Sequence, residues 1–297
     1  FSVSRTVSGT YTRLFEENDL EDGQFTVSSP LTDQDINALE SEFNVILERR
    51  SFRNISYGST TIRLFGDTQK IDKTVILEGA ALGSDSDVLL TYNYAKAQGL
   101  SVGDHITLEG QYLVISGLCI QPDYAAMYAN MEDSFPNSTD FGIALITENA
   151  MDSVGGFSNY YSVKYLDPEQ EADFRAAVYS RYGTLEYIGK SANPRTGGLL
   201  SQVSDLESEF SVYSPIIMLV VVVVIAMVLG RTVRRESRTI GTLMALGSRK
   251  QELMRHYLWY ALIPAIFGDI LGLVFCYPFA RLFNLYMFSF AEHIEYQ

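Results

Sequence analysis

The pattern of apolar and polar residues changes abruptly in the last third of the chain. Two long apolar runs, Phe210–Gly230 and Tyr257–Ala280, enclose an arginine-rich stretch, Arg231–Arg255. Each run reaches the roughly 20 residues that a helix rising about 1.5 Å per residue needs to cross a hydrocarbon core about 30 Å thick. The centre of the first run, Ile216–Leu229, has no polar side chain and therefore no polar helix face. The pattern predicts two transmembrane helices.

Shorter patterns before these runs are typical of a folded domain with helices and strands. Thr32 is followed by acidic residues and an apolar stripe at helical spacing, which predicts a capped helix. Alternation at Thr60–Phe65 and Val75–Leu77 predicts core strands. The stretch Ser86–Gly117 predicts a strand, a short helix and then a hairpin, and Asp167–Tyr182 predicts a helix with a proline in its first turn.

A linker and a stalk helix are predicted just before the first apolar run. Asn193–Gly198 contains one proline and two glycines, which disfavour a regular element and predict a linker. Four apolar residues then recur at helical spacing: Leu199, Val203, Leu206 and Phe210. They predict a stalk helix that continues into the first membrane helix. Pro215 interrupts this helix, either as a hinge at the membrane surface or as the start of the membrane helix.

Charge is distributed unequally along the chain and predicts its orientation. Arg231–Arg255 carries seven basic and two acidic side chains, a net charge of +5, and positively charged loops stay in the cytoplasm. Residues 1–213 carry fourteen basic and thirty-one acidic side chains, a net charge of −17. We therefore expect this large portion to lie outside the cytoplasm. Its negative charge would repel phosphates, which argues against nucleic acid as a partner.

These observations give a predicted order of segments. They are an α+β extracytoplasmic domain (1–211), a transmembrane helix (212–230), a basic cytoplasmic segment (231–255), a second transmembrane helix (256–281) and an extracytoplasmic tail (282–297). Cys119 and Cys276 fall in different segments, so no disulfide is expected between them. The amino end has no signal peptide, and we expect an upstream targeting or membrane segment in the complete protein.

The basic segment contains a pattern suited to close packing. Gly241 and Ala245 are four residues apart, so on a helix they form a smooth strip, beside apolar contacts from Ile240, Leu243 and Leu246. This pattern favours a docking helix. A short interfacial helix whose arginines face anionic lipid explains the same residues, and both interpretations stay open at this point.

Catalytic chemistry finds little support in the sequence. The three histidines, His105, His256 and His293, fall in separate segments and are not expected to form one site. No glycine-rich phosphate-binding loop with a following lysine occurs, so we expect ATP hydrolysis in another chain. Asp85 and Asp87 lack the further ligands and the glycine of a calcium loop, and we expect no metal or cofactor. Asp269 lies within the second apolar run, where an ionisable group either serves a function or stays protonated against a neighbouring backbone.

The stretch Arg234–Met254, continuing through Tyr257–Leu273, resembles the FtsX-like permease module of type VII ABC transporters of the macrolide-exporter and lipoprotein-release type. In that family the corresponding segment between two membrane helices couples to a cytoplasmic ATPase. The resemblance implies coupling positions at Ile240, Gly241, Leu243, Ala245, Leu246 and Gly247. Thr239 stands where many members have an acidic residue, and Met244 stands where a basic residue is common.

The outer portion is similar to the periplasmic core domain that these permeases carry between their first and second helices. The similarity lies in Glu78–Leu90, Leu100–Asp104 and Tyr112–Gly117. Family members have four membrane helices per module, so the resemblance implies that this chain lacks the first and the last.

Together, the residues and the resemblance lead us to expect part of a multi-pass permease subunit in the cell membrane. A separate ATPase would drive motion that the chain transmits to its outer domain, for export or for action on the cell envelope. Expected partners are the ATPase, the lipid bilayer, a second permease copy or module, and an outer protein. The alternatives are a regulator of an envelope protein without transport, or the sensor domain of a membrane receptor, which predicts a signalling domain after the last helix.

Overall fold

The structure, a computed structural model, describes the backbone of residues 2–287 and most of the side chains within that range. The side chains outside the description are those of residues 2–8, 199, 200, 202–204, 206, 207, 210, 261, 277 and 280–287. The chain divides into two units, a sheet domain that contains Ser4–Val203 and a helical unit that contains Ser204–Met287.

The described residues of the sheet domain contain ten strands. They are β1 Gly23–Val27, β2 Val45–Tyr57, β3 Thr60–Gly66, β4 Val75–Gly79, β5 Asp87–Thr91, β6 His105–Leu108, β7 Gln111–Ile120, β8 Phe141–Ile146, β9 Ser158–Tyr165 and β10 Thr184–Gly189. They form one sheet in the order β10-β1-β9-β2-β3-β8-β5-β7-β4, with β6 paired to β7. The pairs β3–β8 and β5–β7 are parallel, and the other pairs are antiparallel.

Eight α-helices occur among the described residues. They are α1 Ser2–Glu17, α2 Asp33–Phe43, α3 Tyr92–Ala97, α4 Glu148–Val154, α5 Glu171–Tyr182, α6 Gly197–Arg235, α7 Ser237–Ala245 and α8 Lys250–Met287. Along β8, Ala144 and Ile146 belong to one apolar cluster, whereas Ile143 and Leu145 belong to another. Because successive strand residues point to opposite faces, the sheet is buried on both sides.

Several predicted elements of the sheet domain are confirmed. Thr32 caps α2 in a reciprocal capping box with Asp35, and Leu39 and Phe43 on the predicted stripe are buried. The stretch after residue 86 forms β5, α3 and the β6–β7 hairpin in the predicted order. Its turn has positive φ at Glu109 (48°) and Gly110 (82°), the combination that a tight two-residue hairpin turn requires.

The helix predicted at Asp167 begins differently from the expectation. Its first turn, Pro168–Gln170, is a 3₁₀ turn in which the Asp167 side chain accepts from the Glu169 N–H at 3.0 Å, and the α-helix α5 follows. Proline has no backbone N–H group, and the first turn of a helix leaves this group without a helical partner in any case. Pro168 is therefore tolerated at the start of this turn.

The predicted linker at Asn193–Gly198 is wrong. Asn193, Arg195 and Thr196 are buried, and the Arg195 guanidinium donates from Nε to the carbonyl of Tyr128 at 3.0 Å and from Nη2 to that of Ala129 at 3.2 Å. Proline and glycine disfavour a regular element, but an irregular segment can still be buried when its polar groups are bonded. Composition therefore indicated irregular backbone correctly for residues 193–196, whereas Gly197 and Gly198 begin α6 and the segment is packed rather than a free linker.

The helical unit contains two helices that are long and apolar enough to cross a membrane. Their candidate spans are Ser211–Arg235, with a mean hydropathy of 2.9, and Lys250–Cys276, with 1.9. The predicted fold class, a mixed α/β domain followed by two long apolar helices, is confirmed. Pro215 lies inside α6 and does not begin a helix. Of the predicted tail 282–297, residues 288–297 lie outside the described residues.

The predicted stalk stripe can be placed only by its backbone. All four of its positions fall in α6, but their side chains lie outside the described ones: Leu199, Val203, Leu206 and Phe210. The helical backbone expected there is present, and the stripe stays a prediction.

Candidate coupling segment and a buried charge cluster

The helix α7 lies between the two candidate spans and ends at the predicted residues. The Ser248 N–H donates to the Leu243 carbonyl at 3.0 Å, and the Gly247 N–H donates to the Met244 carbonyl at 3.1 Å. Gly247 has a φ of 96°, which a residue with a Cβ rarely adopts, and this geometry is a common glycine-terminated helix end. The chain can thus reverse into α8 after only a few residues.

The smooth strip predicted on α7 is open. Gly241 and Ala245 are exposed, and a Cβ added at Gly241 would meet no described atom within 4 Å. Neighbouring apolar side chains are also accessible, with Leu246 79% exposed and Leu243 38% exposed, while Ile240 is partly buried. The structure therefore brings all six predicted coupling positions onto one short helix and its end.

A polar contact that the sequence did not indicate fixes the start of α7. The Tyr257 hydroxyl, on α8, donates to Glu236 Oε2 at 2.6 Å, and Tyr257 is only 8% exposed. The Tyr257 ring also packs against those of His256 and Tyr260, with centroids 5.5 and 6.0 Å away. A contact across 21 positions has no local signal, because helical periodicity relates residues only three or four apart.

The family comparison decides what this region is. The family model described as FtsX-like permease C-terminal matches residues 211–297, which include both candidate spans and α7. Residues 211–297 are an FtsX-like permease C-terminal region. The resemblance first identified from Arg234–Met254 is therefore confirmed for this region, and the protein is a membrane protein. Membership of this part in a permease family implies a membrane setting and an ATPase partner.

The other comparisons add less. The crystal structure of the extracellular domain of the noncanonic ABC-type transporter YknZ from Gram-positive bacteria is 15% identical over 56% of this chain and 96% of the solved chain, with a TM-score of 0.36. A likeness at this level adds no support to a functional assignment. No curated protein matches the sequence.

The remaining predicted positions of the FtsX-like region lie away from α7 along the chain. Asp269 lies within the candidate span of α8, and its side chain is exposed in the described structure. Pro215 lies within the candidate span of α6. The functional role of Asp269 and the hinge at Pro215 stay predictions.

The sheet domain contains a cluster of buried charges that the sequence did not reveal. Its four members are at most 2% exposed: Glu21, Arg50, Asp72 and Asp123. Ser162 Oγ donates to Glu21 Oε2 at 2.6 Å and lies 3.4 Å from Asp72 Oδ2, and Asp72 Oδ1 accepts from the Glu21 N–H at 2.8 Å. These bonds hold the two carboxyl groups of Glu21 and Asp72 together.

Arg50 supplies the positive charge of this cluster. Its Nη2 atom lies 3.3 Å from Asp123 Oδ2, which also accepts from the Tyr160 hydroxyl at 3.3 Å, and the guanidinium lies 4.8 Å from the centroid of the Phe65 ring. Arg50 Nε, Arg50 Nη1 and Asp123 Oδ1 have no hydrogen-bond partner among the described residues. The three carboxyl groups thus share one paired guanidinium in an environment that disfavours charge.

Burial changes the protonation of the acidic members. Burial, followed by the charge of Asp123, raises the pKa of Glu21 from 4.5 to about 7. Burial, followed by the charge of Glu21, raises the pKa of Asp72 well above its usual value. Two neighbouring carboxylates in a buried site repel each other, so near neutral pH this pair retains a proton.

The cluster also lies next to the connection between α1 and β1 and to the segment that precedes α6. Glu21 follows α1 by four residues, and Glu21 Oε1 accepts from Asn193 Nδ2 at 3.4 Å. Asn193 in turn precedes the first residue of α6, Gly197, by four positions. The start of the Asn193–Thr196 segment is therefore held against the same charge cluster as Glu21, which lies between α1 and β1.

Replacing Glu21 with glutamine should remove part of the pH dependence of stability. The folded-state pKa of about 7 lies above the usual 4.5, so the stabilisation from this group is fully present below about pH 4.5 and is lost as the pH rises to about 7. Glutamine resembles the protonated acid. The free energy of unfolding of Glu21→Gln relative to wild type should therefore rise by about 1–3 kcal/mol between about pH 5 and pH 8.

Denaturant unfolding of the purified chain, followed by circular dichroism at each pH, measures this difference. Glu148→Gln, at an exposed acid in α4, controls for the loss of one negative charge. Stability curves for Glu21→Gln and wild type that run parallel across this pH range would contradict the assignment.

Proposed function

We propose that the chain is part of a permease subunit of an ABC transporter and that it transmits motion driven by a cytoplasmic ATPase to an extracytoplasmic sheet domain. The observation that carries the proposal is an FtsX-like region in which an open, smooth helix, α7, lies between two candidate spans. ATP hydrolysis belongs to a separate subunit in this proposal, because this sequence has no phosphate-binding loop.

Charge supports the orientation. The stretch Arg231–Arg255 between the spans has a net charge of +5, whereas residues 1–213 have a net charge of −17. Short loops rich in lysine and arginine remain in the cytoplasm. In the proposed topology α7 is cytoplasmic, the sheet domain lies outside, and the protein is a multi-pass protein of the cell membrane.

The shape of α7 supports a docking role over a purely lipid-facing one. Close approach between two protein surfaces needs small residues, which Gly241 and Ala245 provide. The exposed Leu246 lies at the end of this helix, where it supplies apolar area beside the strip. In the proposed complex these residues contact the ATPase, and the surrounding arginines face lipid headgroups or acidic groups of the partner.

A continuous helix supports transmission. The helix α6 runs from Gly197 to Arg235, so it includes the stalk positions and a whole candidate span. Before it, the Asn193–Thr196 segment is packed within the sheet domain. Helical backbone is stiffer than a loop, so a displacement at the end of α6 would reach this packed segment. Lipid, a second permease copy or module, and an outer protein are the further partners in this proposal.

The proposed topology predicts which cysteines an impermeant thiol reagent reaches. In a background with Cys119→Ala and Cys276→Ala, Ser59→Cys lies in the exposed β2–β3 turn and Ser248→Cys follows α7. Intact cells should label the first and not the second, because only the first is outside. Permeabilised cells should label both, which shows that Ser248→Cys is reachable. Labelling of Ser248→Cys alone in intact cells would reverse the proposed orientation.

The docking role predicts that bulk on the smooth strip weakens ATPase binding. Gly241→Leu or Ala245→Leu in the full-length permease should keep the surfaces apart and lower ATPase affinity at least about tenfold, equivalent to about 1.4 kcal/mol. Thr232→Leu adds similar bulk on α6, outside α7 and the six coupling positions, and serves as the control. Binding is measured by co-purification over a range of ATPase concentrations. Normal retention in both strip variants would refute the docking role.

A further inference from the structure

An open cavity of about 450 Å³ lies in the sheet domain, and none of the four residues of the buried charge cluster lines it. Strands β2 and β3 contribute Asn54 and Arg63 to its lining, and the segment between β7 and β8 contributes Asn130, Asp133 and Asp140. Cavities of about 300–1,000 Å³ are the usual size for small-molecule sites. Seven of its nine lining residues are polar or charged, so the cavity offers several hydrogen-bonding groups to a ligand.

Arg63 gives this cavity a fixed positive charge. It is only 7% exposed, its Nε donates to Asn54 Oδ1 at 2.8 Å, and its Nη1 donates to the Tyr124 hydroxyl at 2.8 Å. Its guanidinium also lies 5.0 Å from the ring centroid of Phe52 and 5.2 Å from that of Phe141. These contacts hold the side chain in one orientation.

No carboxylate of the described residues forms an ion pair with Arg63, although two line the same cavity. The other three guanidinium hydrogens, one on Nη1 and two on Nη2, have no hydrogen bond among the described residues. A buried guanidinium is costly without a counter-ion, and its planar fork suits a carboxylate. A ligand carboxylate would supply the missing charge.

The two carboxylates of the cavity are held by their own segment. Asp133 Oδ2 accepts from the Asn130 N–H at 2.7 Å, and Asp140 Oδ2 accepts from Asn137 Nδ2 at 2.9 Å. Asp140 is exposed and Asp133 is half-buried, so both can accept further bonds from a ligand. The lining therefore carries one positive and two negative charges, and a ligand with both charges can bond groups of either sign.

We propose that this cavity binds a short peptide with free termini, whose carboxylate lies on Arg63 and whose ammonium group lies against Asp133 and Asp140. A ligand with both charges satisfies the cation and the anions at once. The carboxamide groups of Asn54, Asn130 and Asn137 can bond the peptide groups between the two termini. This site is independent of the coupling role proposed for α7.

The test uses the whole chain in lipid nanodiscs and three probes measured by isothermal titration calorimetry. Triglycine carries both charges, N-acetyltriglycine lacks the ammonium group, and triglycinamide lacks the carboxylate. Triglycine should bind, and each blocked peptide should bind at least about tenfold more weakly, because one charge-assisted contact is lost. No binding of triglycine, or equal affinity for all three peptides, would overturn the proposal.

Variants assign each charge to its contact. The double variant Asp133→Asn and Asp140→Asn should lower the affinity for triglycine at least about tenfold. Its affinity for N-acetyltriglycine should be unchanged, because only triglycine has the ammonium group. Arg63→Lys should lower the affinity for triglycine and for N-acetyltriglycine by the same factor, because both peptides carry the carboxylate. Circular dichroism checks that this variant folds normally. Asp152→Asn, at an exposed position on α4, is the control for lost negative charge. Unchanged triglycine affinity in the asparagine double variant would refute the proposed ammonium contact.

Discussion

The sheet domain buries four charged side chains in one cluster, and their need for partners constrains how the domain can pack: Glu21, Arg50, Asp72 and Asp123. Each charge would cost several kcal/mol if it were buried alone, so the groups are stable only when all of their partners are in place. The partners come from β2, β9, the β3–β4 connection and the segments after α1 and β7. The sheet domain therefore holds together as one body rather than as separate halves.

The same constraint links the sheet domain's fold to the role proposed for the chain. Asn193 bonds to Glu21, and the neighbouring Arg195 bonds to backbone carbonyls, so the segment before α6 has a fixed position in the sheet domain. From Gly197 the backbone is helical as far as Arg235, and α7 begins two residues later. Along the chain, the buried Asn193–Thr196 segment is thus followed by helix α6, which contains a candidate span, and then by α7, the proposed ATPase contact.

Features with local signals could be predicted from the sequence. The apolar runs gave the two long helices, Thr32 gave the cap of α2, and the turn at Glu109 and Gly110 gave the β6–β7 hairpin. The charge cluster could not be predicted, because Glu21 lies 51 positions from Asp72 and 172 from Asn193, and no periodicity relates such distant residues. The coupling positions were predicted from a family pattern and stay a prediction, whereas the Tyr257–Glu236 contact needed the folded geometry.

The central claim is that α6 carries motion as a stiff helix, and an insertion between Ser211 and Ser214 tests it most directly. Four glycines there should melt the helix locally, at about 1 kcal/mol each, and four alanines add the same length while keeping it helical. In the full-length permease with its ATPase, the glycine insertion should leave ATP hydrolysis intact and abolish the export or envelope activity that the sheet domain performs outside the cytoplasm. The alanine insertion should retain much of that activity. Full outer function with the glycine insertion at normal expression would contradict the account.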